Sequence, residues 1–169
     1  ELGLRYEKPQ ILVSCGAKHS LYNLAEALLE AGDEIIIPTP YWVSYADQAL
    51  LNDATPVLLP TREDLGYAIN PEELQKLVTP RTKAIIVNSP CNPTGATYDK
   101  RTLEAIAEIA VKHDILIISD EIYEKVLYDG ATHTSIATLG PDVAERTVII
   151  NGVSKAYAMT GWRIGYAAG

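Results

Sequence analysis

Ile115-Leu116-Ile117-Ile118-Ser119-Asp120-Glu121-Ile122-Tyr123 is an apolar run that ends in a carboxylate. Four aliphatic residues in succession, without the alternation of a half-solvated strand, fit a strand with helices on both faces. The segment before it carries Leu103, Ile106, Ala107 and Ala110 at i, i+3, i+4 and i+7. That spacing defines one apolar helix face, and Glu104 and Glu108 lie off it. The helix-then-strand unit recurs along the chain. Further strand candidates are Ile11–Ser14, Glu34–Ile37, Pro56–Leu59, Ala84–Asn88, Val148–Asn151 and Arg163–Ala167. Leu21, Leu24, Ala25 and Leu28 mark a first helix, which Gly32-Asp33 is expected to stop. Asn70 caps, and Pro71 opens, a helix running to about Val78. The alternation predicts an α/β fold, three layers deep, on a mostly parallel sheet.

A chain of 169 residues suits one domain with a sizeable core. No apolar run is long enough to cross a bilayer, so no membrane role is expected. The first residues lack the basic-then-apolar layout of a signal peptide. Both ends read as cut, which makes a piece of a longer protein the expectation. The net charge is −8 with acidic and basic residues mixed, and no Lys/Arg cluster offers a nucleic-acid footprint. Cys15 and Cys91 match no metal or CxxC spacing. A disulfide stays open on sequence alone, with reduced thiols and a cytoplasmic location the expectation. His19, His113 and His133 form no ligand spacing and read as surface or helix-end residues; no metal is expected.

In open α/β sheets ligands bind beyond the carboxyl ends of the strands, so the residues after each strand carry the functional reading. Gly16-Ala17-Lys18 lies between a strand and a helix, where helix N–H groups can meet an anion, although a plain turn would look the same. Trp42, in Pro38-Thr39-Pro40-Tyr41-Trp42, can stack on a flat ring or simply fill core. Asn92, in Asn88-Ser89-Pro90-Cys91-Asn92-Pro93-Thr94-Gly95, sits in a rigid polar loop and can donate to a phenolic oxygen or only shape a turn. Asp120 can pair with a ring nitrogen or cap a helix, and Tyr123 can point the same way if the chain turns helically. Ser154-Lys155 follows Val148–Asn151. By itself a lysine there is most often solvated, but its amine can attack an aldehyde, and Arg163 can hold a phosphate nearby.

Taken together these groups describe pyridoxal 5'-phosphate. There is an amine for its aldehyde, a carboxylate for its ring nitrogen, an aromatic to stack and two donors for its phenolic oxygen. Phosphate donors come from a helix start, Ser154 and Arg163. At this point the chain resembles the class I and II aminotransferases, pyridoxal-phosphate enzymes of fold type I, over essentially its whole length. It is most similar to the bacterial aspartate aminotransferase branch. The carriers are Gly16-Ala17-Lys18, Pro40-Tyr41-Trp42-Val43-Ser44-Tyr45, the loop Asn88–Gly95, Ser119-Asp120-Glu121-Ile122-Tyr123, Ser154-Lys155 and Thr160-Gly161-Trp162-Arg163-Ile164-Gly165-Tyr166.

The resemblance implies a role for each position. Lys155 is the catalytic lysine, bound to the cofactor aldehyde and moving the proton. Asp120 is the partner of the pyridine nitrogen, and Tyr123 and Asn92 are the donors to the phenolic oxygen. Trp42 stacks, and with Asn92 it borders the substrate. Arg163 binds the phosphate with Gly16, Ala17, Lys18 and Ser154. Gly152 stands where many relatives carry a phosphate-binding serine. The resemblance further implies a seven-stranded sheet whose last strand is antiparallel, so the chain would be the cofactor-binding large domain. The N-terminal segment, the small domain with its carboxylate-gripping arginine and the second subunit's tyrosine would lie elsewhere. The implied activity is amino-group transfer between an L-amino acid, aspartate foremost, and a 2-oxo acid, 2-oxoglutarate foremost, by a homodimer. The chain alone is expected to be inactive or weakly active. Carbon–sulfur lyase chemistry, or a non-catalytic cofactor-binding sensor, would use the same cofactor residues.

Overall fold

The computed structural model describes residues 3–169. Strand and helix alternate as β1 (Ile11–Ser14), α1 (Ala17–Leu28), β2 (Glu34–Thr39), α2 (Ser44–Leu51), β3 (Thr55–Pro60), α3 (Pro71–Leu77), β4 (Thr82–Asn88), α4 (Lys100–His113), β5 (Leu116–Asp120), α5 (Pro141–Ala144), β6 (Thr147–Gly152) and β7 (Gly165–Ala168). The strands form one seven-stranded sheet in the order β1-β7-β6-β5-β4-β2-β3. β7 runs antiparallel to both β1 and β6, and the remaining pairs are parallel. The carboxyl ends of β1, β2, β4, β5 and β6 therefore share one edge of the sheet with the start of β7.

The unbroken apolar runs follow from coverage on both faces. Ile35, Ile37, Ala84, Ile86, Ile118 and Ile150 pack under α1 and α2 through Leu21, Ala25, Tyr45 and Ala49. Their neighbours in sequence, Ile36, Ile85, Val87 and Ile117, point the other way and pack under α3 and α4. The predicted α4 face, Leu103, Ile106, Ala107 and Ala110, is buried throughout. Burying Leu103 and Ile106 contributes about 2 kcal/mol each, by area. Asp99 caps α4 by accepting from Thr102 N–H at 2.8 Å, and Asn70 caps α3 by accepting from Glu72 N–H at 2.9 Å.

Three expectations are corrected. α1 ends at Leu28, well before Gly32, because Leu29 turns extended and buries its side chain in the core. Gly32 instead makes the left-handed turn into β2, with φ +98°. β7 starts at Gly165 rather than Arg163, since Thr160–Trp162 form a 3-10 turn and Arg163 is left-handed with φ +53°. Double coverage also fails at the β1 end, where Ile11 and Val13 are 44% and 68% exposed. Among the described residues both cysteines are free, and no helix is long and apolar enough to cross a membrane.

Candidate functional site

At the shared edge the loops enclose a cavity of about 260 Å³, near the small end of ligand pockets. The sheet topology explains why the scattered motifs converge. Ala17 and Lys18 follow β1, Trp42 follows β2, Asn92 follows β4, Asp120 and Tyr123 lie at the end of β5, and Ser154 and Lys155 follow β6; all line the cavity. Arg163 joins them because β7 is antiparallel. Gly165 pairs with Gly152 on one side and Ser14 on the other, which sets the start of β7 beside the ends of β6 and β1.

One part of the cavity is built for an anion. Gly16, with φ +88°, turns the chain from β1 into α1, so the helix begins at the cavity wall. The Arg163 guanidinium occupies the space that a Cβ on Gly16 would fill, and a Cβ on Gly165 would run into the backbone of Gly16 and Ala17. Two missing side chains thus let a guanidinium and a helix N-terminus face the same point. Both favour negative charge. Arg163 Nη1 donates to Thr160 O at 2.8 Å, which orients the side chain. Gly152 also has a packing reason to lack a side chain. A Cβ there would approach Ile164 O to 2.8 Å and Ile122 Cδ1 to 3.2 Å.

Asp120 is 3% exposed. Its Oδ2 accepts from Tyr45 Oη–H at 2.6 Å and its Oδ1 from Ile122 N–H at 3.2 Å. Burial pushes the carboxyl up to about 6; the Tyr45 and Ile122 hydrogen bonds pull it down, and the Glu121 charge pushes it up. The same burial, with the Asp120 charge beside it, raises Tyr45 well above an ordinary phenol, so Tyr45 stays a donor. No helix follows Asp120. The chain makes a turn over Ile122–Lys125, and this brings Tyr123 to the cavity.

Trp42 is half-buried and meets Tyr45 edge-on, with ring centroids 5.5 Å apart at 87°. It is thus neither pure core nor free surface. Lys18 Nζ stands 4.8 Å from the Trp42 ring and Lys155 Nζ 5.8 Å from the Tyr123 ring. The Asn92 loop is tied down by Asn88, whose Oδ1 accepts from Asn92 N–H at 2.9 Å. Asn88 Nδ2 donates to Asp120 O at 3.0 Å and Pro90 O at 3.3 Å. Thr39-Pro40, Ser89-Pro90 and Asn92-Pro93 are cis.

Every singled-out residue except Gly16 lines the cavity, and Gly16 lies against Arg163. Sequence reasoning missed Tyr45 and Asn88 as site residues. Both fall inside motifs quoted above, yet no spacing rule reveals that residue 45 reaches residue 120. It also misplaced His133. Its side chain is 6% exposed and sits against Glu121, away from the surface. The cavity can hold an anionic group at the Arg163–α1 corner. It can also hold a flat ring with a protonated nitrogen against Asp120, within reach of a primary amine.

A family model described as "Aminotransferase class I and II" matches residues 2–169. The chain is 56% identical over 167 residues to an aspartate aminotransferase of Geobacillus stearothermophilus, covering 99% of this chain and 42% of that protein. It is 52% identical over 167 residues to an asparagine–oxo-acid transaminase of Streptococcus mutans, again covering 99% and 42%. The solved aspartate aminotransferase of Rhizobium meliloti superposes with a TM-score of 0.97 at 45% identity, over 100% of this chain and 42% of that one. The chain therefore spans about two-fifths of the length of the curated relatives it matches.

Proposed function

This chain belongs to the class I and II aminotransferases and has their fold type I architecture, and on that premise we propose that it is the pyridoxal-phosphate-holding domain of a longer aminotransferase. The observation that carries the reading is one cavity joining a buried carboxylate, Asp120, to the Arg163–α1 anion cradle and the Lys155 amine. The donor set suits the cofactor part by part. The cradle formed by Gly16, Ala17, Lys18, Ser154 and Arg163 fits a phosphate dianion. Asp120 fits the ring nitrogen, and Asn92 and Tyr123 fit the phenolic oxygen. Trp42 supplies a face for the ring.

When bound, pyridoxal phosphate supplies an aldehyde carbon for amine exchange and a cationic ring that withdraws electrons from a neighbouring bond. The residues do the rest. Asp120, ionised, holds the proton on the ring nitrogen. A carboxylate that is costly to ionise alone becomes favourable once a cation faces it. Lys155 anchors the cofactor through its amine. Once free, that amine would be the base and acid that carries the substrate Cα proton. Trp42 and Asn92 border the substrate side. Aspartate is the amino donor proposed, in keeping with the relatives' names, and 2-oxoglutarate the acceptor proposed from the family resemblance. We also propose, from the family resemblance, that the substrate's α-carboxylate is gripped by residues beyond this chain and that the whole protein is a cytoplasmic homodimer.

The reading is tested by absorption titration with pyridoxal phosphate. The chain is expected to develop a bound-cofactor band that Lys155→Ala abolishes. No band in the unmodified chain would overturn the cofactor assignment. Transamination no faster than background, when the full-length protein is assayed with aspartate and 2-oxoglutarate, would overturn the substrate assignment.

A further inference from the structure

Glu121 has no part in the chemistry above, yet at 1% exposed it is more deeply buried than Asp120. Strand alternation explains how neighbouring carboxylates do different things. Asp120 faces the cofactor cavity, while Ser119 and Glu121 face the opposite side of the sheet end. There Glu121 Oε1 accepts from Ser119 Oγ–H at 2.8 Å and Ser135 Oγ–H at 2.6 Å. Its Oε2 lies 3.0 Å from His133 Nε2. Its N–H donates to Ile150 O and its carbonyl accepts from Glu124 N–H, both at 2.9 Å. Every polar group of the residue is therefore engaged.

The contacts tie the end of β5 to the chain that returns to it 12 and 14 residues later. From Tyr123 to Thr134 the chain forms turns and irregular backbone, with no helix or strand. It comes back to the sheet at His133 and Ser135, and both side chains hold Glu121. Burying a charge is a poor route to stability, since apolar replacements of buried ion pairs are often neutral or better. A fully satisfied buried carboxylate does fix the position of its backbone, here the peptide between Asp120 and Ile122.

We propose that Glu121 is a positioning residue, which holds the Asp120–Tyr123 turn in cofactor-binding geometry from the far face of the sheet through Ser119, His133 and Ser135. The inference rests on the proposed cofactor reading for its purpose, but the clamp itself is a property of the cofactor-free chain. Because it acts from the opposite face, it uses none of the groups the cofactor needs. Its charge also bears on Asp120, pushing that carboxyl up.

The test compares Glu121→Ala and Glu121→Gln with Glu34→Ala. Glu34 is also a buried carboxylate, 5% exposed, held by Thr79 and Arg81 at the opposite end of the sheet. Hydrogen exchange is read at the amides of Ile122, Glu124 and Val126, which bond to Asp120, Glu121 and Tyr123. Pyridoxal phosphate affinity is read in parallel. Glu121→Ala is expected to speed exchange at those amides and weaken cofactor binding by about tenfold or more, since small misplacements are costly. Glu121→Gln, which keeps the acceptor for both serines, should recover much of both. Glu34→Ala should change neither, even at equal loss of melting temperature. Unchanged exchange and affinity in Glu121→Ala, or equal effects from Glu34→Ala, would overturn the proposal. If the unmodified chain takes up no cofactor, the functional reading fails and the exchange pattern alone decides the clamp. Should Glu121→Ala not fold, Ser135→Ala is measured in the same way.

Discussion

Tyr45 donates a 2.6 Å hydrogen bond to Asp120 Oδ2 across 75 positions of sequence. The contact is buried at both ends, since each residue is 3% exposed. It holds the carboxylate from the α2 side, while Ile122 N–H holds the other oxygen. Tyr45→Phe removes the stronger of the two donors. The Asp120 carboxyl should then titrate above about 6, because this hydrogen bond is what pulls it down against burial. Carboxyl NMR titration of the cofactor-free chain checks this. The stability lost should be about 2 kcal/mol, as for hydrogen bonds to charged groups.

Asp120 makes the cofactor-free fold sensitive to pH in an unusual direction. An ordinary aspartate ionises near 3.8, whereas in the fold Asp120 keeps its proton to about 6. Between those values the native state binds more protons than the unfolded chain. Its contribution to stability is therefore full below pH 3.8 and is lost as pH rises through about 6. Asp120→Asn should stabilise the cofactor-free chain at pH 8 by up to about 3 kcal/mol and leave it near the unmodified value at pH 4. Urea melts at the two pH values give the comparison, and cofactor affinity should fall in the same variant.

Gly16→Ala and Gly165→Ala should fail differently. At Gly16 the added carbon meets the Arg163 guanidinium, which can swing away, and the extended positive-φ backbone, which is nearly exclusive to glycine, adds about 1–3 kcal/mol of strain. This variant should fold and lose affinity for pyridoxal phosphate. At Gly165 the added carbon meets the backbone of Gly16 and Ala17, which cannot move aside without shifting α1. That variant should lose about 3 kcal/mol or more of stability. Calorimetric melting paired with cofactor titration separates the two outcomes.

Arg163→Lys keeps the charge but replaces a fork of donors with a point. It should weaken cofactor binding by about tenfold or more with little change in melting temperature. Full affinity in this variant would argue against a forked contact to the phosphate.

Asn88→Ala should cost about 1–2 kcal/mol, because it leaves Asn92 N–H without its partner and Asp120 O with only the longer bond from Ser89 N–H. Asn88→Asp keeps the acceptor for Asn92 but loses the donor to Asp120, so it should not recover the loss. Urea denaturation of the pair gives the answer.

The sheet was readable because its signal is local. Aliphatic runs such as Ile115–Ile118, the α4 face and the Asn70-Pro71 helix start all declare themselves within a few residues. Boundaries slipped where tertiary packing overrode local signals. Leu29 left α1 early to reach the core, and Arg163 took a left-handed turn before β7. The bare β1 face was invisible for a similar reason. Ile11-Leu12-Val13 reads like any buried strand until the neighbouring elements are counted.

By itself the sequence determined which chemistry follows each strand. The carboxylate at 120, the amine at 155, the arginine at 163 and the glycine-led helix start at 16 are each fixed by position along the chain. Tertiary structure alone decided which of these groups share a space and what holds them there. Strand order and direction are set by long-range pairing, so only the folded sheet places the start of β7 between β1 and β6, bringing Arg163 over Gly16. The supporting contacts, Tyr45 and Asn88 to Asp120 and His133 and Ser135 to Glu121, depend on that arrangement too. A hydrogen bond needs two groups within about 3 Å, and separation along the chain carries no such distance until the backbone between them has folded.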